Sequence, residues 1–483
     1  MTNRFLIDNF YHLTSNGESM PLLSSDSSAG FLVTVAANVV PLVGVFSLGW
    51  SAQTFAVVYA IELVVTVPFA GAKALFARRP PNYDELERPN EDNPLKSDES
   101  GGVSVGPSDL NRRRGSVAII DALPPIYPRN VPFALRAFGA AVGLAGAFLF
   151  VLGRFVDVPA TLTDPSVAAS IVFLVGSQIG VTEREYFRTR RYETSTPRDV
   201  VASATTEGTL AVAALIVAIV GGPAGALVAF VAVKLFAEWR GYRSGVAFDP
   251  EEGDGTLPPV AAPDAPPAAE VRPGRRAVRA TALWQGATAA VSSGPVYLFA
   301  WVGLTAGSVR ALTAAVVCFG LLPAGIGGLK AVEYGLTHGT LTYQRRDDTV
   351  VAYDDLTKRV QWATPIDDIR DAELCEGELV DRACGTRTFS IPSFAGEYDY
   401  SVAHLREYDR AVEAFELPVE TTAFGPLDRR VAAVIAVVGA CGVAAVTGLA
   451  YSAPTIGAVA AGFGGPSGVV TLRSAWQWAL PAA

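Results

Sequence analysis

Apolar residues in this chain are bunched rather than spread. Stretches of roughly 18 to 25 residues recur with almost no charge, each long enough as a helix to cross a hydrocarbon core about 30 Å thick. A helix also satisfies its own backbone groups in such a core. The pattern predicts spans near Ala29 to Phe46, Thr54 to Phe76, Phe133 to Val156, Ser166 to Val181 and Asp199 to Val220, then Pro223 to Trp239, Leu283 to Leu304, Val309 to Val332, Arg430 to Ala450 and Ala453 to Val470. The fourth is short, and the last is Gly-rich, a full crossing or a re-entrant segment. The first thirty residues lack a basic start followed by an apolar run, so the first span is expected to stay as an anchor.

Between the eighth and ninth spans the period changes to that of strands. Thr340 to Tyr343 and Val350 to Tyr353 alternate apolar and polar residues, with Arg345 to Thr349 as the turn. Strand-like pieces follow at Val360 to Ala363, Arg370 to Cys375 and Thr386 to Ile391, and Val402 to Phe415 has helical spacing. The expected fold is an all-α polytopic membrane protein of about ten transmembrane helices, with a small α+β cytoplasmic domain inserted between helices eight and nine. In numbers, 1–28 is a cytoplasmic N-terminus and 29–245 a six-helix membrane domain whose acidic loop 79–130 is expected to be disordered. A Pro/Ala/acidic linker covers 246–278, a two-helix membrane hairpin 279–332, the cytoplasmic domain 333–424 and a C-terminal membrane hairpin 430–472.

Charge orients this scheme. The loops after spans two, four and six are rich in Arg, among them Arg78, Arg79, Arg112 to Arg114, Arg188 to Arg191 and Arg272 to Arg279, while Arg154 and Arg310 are the only cations of the loops between. The positive-inside rule then puts the N-terminus and the soluble domain in the cytoplasm of a multi-pass cell-membrane protein. Half of the residues are apolar, mean hydropathy is +0.31 and 18% are charged, which is unlike a soluble chain. Asp and Glu total 47 against 38 basic residues, and only five of those are Lys. That balance is the style of an extreme halophile, an archaeon, or else of an ordinary set of acidic linkers.

Two resemblances enter here. Tyr334, Leu336, Thr337 and Leu341, then Pro365, Ile366 and Ile369, then Gly385, Thr386 and Thr388 resemble the bacterial pleckstrin-homology pattern, an opening Y-x-L-T-x-x-x-L strand, a P-I-x-x-I turn and a G-T-x-T strand. The resemblance covers about 333–424 and implies a PH-like fold with roles in scaffolding or oligomer assembly. Between Val332 and Asp428 there are 20 acidic and nine basic residues, so an anionic leaflet would repel this domain, and protein contact is expected over lipid-headgroup binding. Further upstream, Asn38, Pro41 and Gly44, the Gly49-Trp50 pair, Tyr59, Glu62 and Lys73 resemble the uncharacterised membrane family "domain of unknown function 6498" over about 29–245, with Ala60 where that pattern has Trp. The family implies no known activity.

Glu62 is the candidate intramembrane site, because a carboxylate deep in a span costs about 2.5 kcal/mol or more unless paired, protonated or wet. Lys234, Arg136 and Asn38 are its candidate partners. A relay for protons or cations and a buried pair fixing helix register are the two readings. Trp50 reads as a belt aromatic of the headgroup layer.

Chemistry-bearing motifs are absent from the sequence. His12, His338 and His404 are scattered, the four cysteines have no C-x-x-C spacing, and there is no Walker-type loop. No catalytic residue, cofactor or metal is expected, and a pI near 5.1 argues against nucleic acid. The expected role is non-enzymatic, structural, scaffolding or regulatory, with the bilayer, a second copy or another membrane protein as partner. A transporter or ion-conducting protein using Glu62 is the alternative.

Overall fold

The computed structural model describes residues 42–47, 51–81, 109–152, 164–245, 259–292, 322–375, 379–392 and 400–452, with isolated positions between and beyond these ranges. The predicted crossings near Ala29 to Phe46, Leu283 to Leu304, Val309 to Val332 and Ala453 to Val470 therefore lie partly or mostly outside the described residues.

The helical unit is built on α1 (Ala52–Ala74), α2 (Val131–Leu152), α3 (Pro165–Val181) and α4 (Pro197–Gly245). Ser51 starts α1 by accepting the Thr54 amide at 3.2 Å, which satisfies one of the orphan donors of the first turn. Gly71 lets α1 and α2 close up, since a methyl group there would stand 2.9 Å from the Ala137 Cβ. Gly222, at φ 60° and ψ −157°, breaks α4 into two helices, and Pro223 starts the second. Buried Val57, Leu63, Leu144, Phe148, Leu227 and Phe230 form the shared core.

The C-terminal unit holds two antiparallel sheets over one core. One has the order β1 (Ala269–Val271), β2 (Leu341–Arg346), β3 (Thr349–Asp354) and β4 (Arg359–Pro365). Between β1 and β2 run α5 (Arg275–Ser292) and α6 (Leu322–His338), which cross so closely that a methyl group on Gly286 would lie 2.5 Å from the Gly327 carbonyl oxygen. The second sheet has the order β5 (Glu373–Leu374), β6 (Arg387–Ile391) and β7 (Tyr400–Leu405), with the short helix α7 (Leu379–Cys384) between β5 and β6. A bridge from Pro273 to Leu405, with the Gly274 amide on the His404 carbonyl at 2.7 Å, stitches the two sheets together. Helix α8 (Tyr408–Phe415) closes the core with Ala411 and Phe415, and α9 (Arg429–Ser452) follows.

This architecture overturns the ten-span all-α fold. Among the described residues, α1 is the helix long and apolar enough to cross a membrane, with Gly221–Phe236 a shorter apolar helix. Apolar length alone misled: α3 has 17 residues and Gly222 interrupts α4. Three local expectations also change. Residues 109–130 of the presumed disordered loop hold defined positions, with Leu110 fully buried. The linker supplies a strand, β1. Val402 to Phe415 is not one helix but β7 followed by α8, because Val402 and Leu405, three apart as on a helix face, both face the core through a bulge in β7.

Candidate functional site

Helix α6 ends against the sheets, and a polar cluster forms at that junction. The register of β6 and β7 slips between Arg387–Leu405 and Phe389–Val402, so β7 carries an extra residue there. His404 sits in that bulge at φ 56°, a left-handed conformation that a side chain of its size seldom adopts. The bulge turns the imidazole inward, where it is 1% exposed beside a fully buried Asp381. His404 Nδ1 lies 2.6 Å from Asp381 Oδ1, and the Tyr334 hydroxyl lies 2.5 Å from Nε2.

The donors orient the ring. Asp381 accepts from the hydroxyls of Thr386 and Thr388, the latter at 2.5 Å, and its third bond comes from a proton on His404 Nδ1. Nε2 shares a hydrogen bond with the Tyr334 hydroxyl. Burial would raise the Asp381 carboxyl, but His404 and the two threonine hydroxyls outweigh it and hold the group below the usual carboxylate range. The Thr388 hydroxyl also accepts the His404 amide at 3.0 Å, locking the strained residue. The His338 ring lies tilted 4.6 Å from that of Tyr334 and edge-on 6.2 Å from that of His404. Burial, then the neighbouring His404 and Arg113, push the His338 imidazole down to about 3, so it is neutral near pH 7.

Beside it Arg113, 4% exposed, reaches from the N-terminal half into the C-terminal one. Its guanidinium meets both oxygens of the buried Asp354, Nε to Oδ2 and Nη2 to Oδ1, each at 2.9 Å. It also caps the end of α6 by donating to the carbonyls of Leu336 and, at 2.8 Å, Thr337, and to the Thr340 hydroxyl at 2.6 Å. Burial works to raise the Asp354 carboxyl, and the Arg113 contacts overcome it and hold it low. Next in sequence, Arg114 exchanges backbone bonds with the Gln361 amide, 2.8 Å to Oε1 and 3.1 Å from Nε2.

At the C-terminal end of α1 the same loop finishes another cap. Asn130 Nδ2 donates to the carbonyls of Ala74 at 2.8 Å and Ala77 at 2.7 Å, Arg129 to that of Arg78, and the Tyr127 amide to that of Leu75 at 3.0 Å. The Tyr186 hydroxyl donates to the Lys73 carbonyl at 3.0 Å. Orphan carbonyls of the last turn are thereby satisfied.

Of the residues singled out in the sequence, Glu62 and Lys234 come together as an ion pair, their side chains 23% and 27% exposed, and the Tyr59 ring centroid lies 5.6 Å from Lys234 Nζ. Arg136 lies over Phe133 at 5.7 Å on an exposed face of α2. Gly44 is buried in the helical stretch 42–47, and Lys73 lies in the last turn of α1. Asn38, Pro41 and Trp50 lie outside the described residues. Sequence reasoning treated the histidines as scattered, yet His338 and His404 share one cluster, and it gave Arg112 to Arg114 an anchoring role that Arg113 does not play. The G-T-x-T strand was the one available signal, since Thr386 and Thr388 are two of the ligands of Asp381.

Residues 20–245 match the sequence model of a family described as "Family of unknown function (DUF6498)", which supports the resemblance read from the Asn38 to Lys73 motifs. No curated protein and no solved structure matches the chain.

Proposed function

We propose that the chain is a membrane-anchored scaffolding or regulatory protein whose C-terminal unit, PH-like in kind, makes protein contacts and is held in fixed register to the helical unit. One observation carries this reading: Arg113 leaves the helical half and is buried in the other half as a five-point clamp on Asp354 and the end of α6. A flexible tether needs no such plug. The PH-like reading is supported by two antiparallel sheets over a single core closed by α8. Its surplus of acid, with Asp348, Asp367 and Asp368 exposed, favours a basic protein surface and disfavours anionic headgroups. Membrane residence rests on α1 and on the arginines clustered at its end.

Glu62 closes on Lys234 with the Tyr59 ring alongside, so its role in this reading is to fix helix register rather than to relay protons. The test compares the full chain with an Asp348→Lys/Asp367→Lys/Asp368→Lys variant by crosslinking and native-size analysis of solubilised membranes. Loss of assembly with retained membrane residence supports the proposal. Unchanged assembly, together with a solute or ion flux in proteoliposomes that Glu62→Gln abolishes, sinks it in favour of transport.

A further inference from the structure

The loop that caps α1 carries an apolar tip that stays exposed among the described residues. Val117 and Ile126 pair as an antiparallel bridge with amide-to-carbonyl distances of 2.8 and 2.9 Å, and the Leu123 amide turns back on the Ile120 carbonyl at 3.1 Å. The small hairpin so formed presents Ile119, Ile120 and Leu123 at 69%, 54% and 40% exposure. Three large aliphatic side chains side by side on a turn are costly in water, and such patches mark a contact surface.

Position and charge name the contact. The Tyr127 amide is bonded to the Leu75 carbonyl just past the end of α1, and Leu123 is four residues away, so at about 3.4 Å per residue it lies within about 14 Å of that helix end. The polar layer of a bilayer adds about 5 to 8 Å on each side of the hydrocarbon core, so this reach covers it. From Ser116 to Ile126 the one charged residue is Asp121. Around the hairpin's base the chain brings Arg78 and Arg79 to the segment holding Arg190 and Arg191, through the Arg78 amide on the Tyr192 carbonyl at 2.7 Å and the Arg79 amide on that of Ser195 at 3.3 Å. Tyr127 and Tyr192 add amphipathic rings near this base, and the apolar Phe187 ring lies 6.4 Å from that of Tyr192 and edge-on to Phe76 at 5.0 Å. An apolar point ringed by arginines and tyrosines is complementary to an anionic leaflet, apolar below its phosphates.

We propose that the Val117 to Ile126 hairpin is an interfacial anchor that seats Ile119, Ile120 and Leu123 in the cytoplasmic leaflet, with the arginines of its base on lipid phosphates. The inference rests on the membrane residence of α1 given above. It also assigns lipid contact to this loop and not to the PH-like unit, whose charge repels such a surface.

The test uses the full chain with its four cysteines changed to Ser and single nitroxide labels at Ile119→Cys, Leu123→Cys, Val65→Cys in mid-α1 and Glu420→Cys on the soluble unit, reconstituted in mixed phosphatidylcholine and phosphatidylglycerol vesicles. Depth is read from the ratio of collisions with oxygen to collisions with a water-soluble nickel chelate. The expected result is a ratio at 119 and 123 shifted from the aqueous value at 420 toward that at 65. Should 65 read deep while 119 and 123 read as aqueous as 420, the anchor is overturned and the membrane reading survives. Aqueous values at 65 would remove both. Dipolar broadening between 119 labels in detergent would assign the tip to a second copy and also overturn the proposal.

Discussion

Replacing Arg113 by Met keeps most of the side-chain volume and removes every donor of the clamp. Asp354 is fully buried and would lose both guanidinium bonds, and the Leu336 and Thr337 carbonyls would lose their cap. Stranding one member of a buried pair costs about 3 to 5 kcal/mol. Asp354 still accepts from the Leu356 amide at 3.0 Å and the Thr357 hydroxyl at 2.8 Å, so the lower end, about 3 kcal/mol, is expected under the same rule. The contrast is Asp354→Asn, alone and combined with Arg113→Met. Where the cost is a stranded charge, the double variant is less destabilised than the two singles added, with a coupling of about 1 kcal/mol or more. Urea unfolding of the full chain in detergent, followed by near-ultraviolet circular dichroism of the C-terminal unit, reads both quantities. An Arg113→Met chain within about 0.5 kcal/mol of the wild type would refute the clamp, because that is the scale of an ordinary surface substitution.

Other consequences follow from the same geometry. His338 titrates near 3 in the fold against about 6.5 in an unfolded chain, so below about pH 6.5 the unfolded state binds the extra proton and stability falls by up to about 1.4 kcal/mol per pH unit; His338→Gln should flatten the slope of urea midpoints between about pH 7 and 5. Asp381 and Asp354 act in the usual direction for depressed carboxylates: their contribution is complete above about pH 4 and is lost as the pH drops through their lower folded values, so Thr388→Val should move the acid-unfolding midpoint upward. At the α5–α6 crossing, Gly327→Ala forces a methyl group to 2.7 Å from the Gly286 carbonyl oxygen and should cost about 1 to 3 kcal/mol, whereas Gly335→Ala meets nothing within 4 Å and should be neutral or mildly stabilising by the same denaturation assay.

Local pattern carried some of this fold into plain view. The strand pair Leu341–Arg346 and Thr349–Asp354 could be read from alternation and the Asp347-Asp348 turn, and α1 from its long apolar run, broken by Glu62 alone before Lys73. Charge alone marked Glu62 as needing a partner and offered Lys234, Arg136 and Asn38; the fold brings Lys234 to it. What stayed hidden is non-local. Ala269–Val271 is three residues long, set in a Pro and Ala run, and its partner Tyr343 to Arg345 is some seventy positions away, so no window sees both. The buried Arg113 looks identical in sequence to Arg112 and Arg114 beside it. Only the acceptors gathered around it, Asp354 and the α6 carbonyls, distinguish it.

Those non-local contacts also join the two halves. The strand before α5 and the strand after α6 lie side by side, Val271 against Tyr343, so both helices adjoin one sheet. Arg113 grips the end of α6 from the other half, and His404 holds Tyr334 one turn higher on the same helix. A force on the C-terminal unit therefore acts on α6 directly, and through Arg113 on the loop that runs to Asn130 and the last carbonyls of α1. A contact made by the sheets would then alter the helices without any change inside either core. That behaviour suits a regulatory scaffold and gives no advantage to an inert tether.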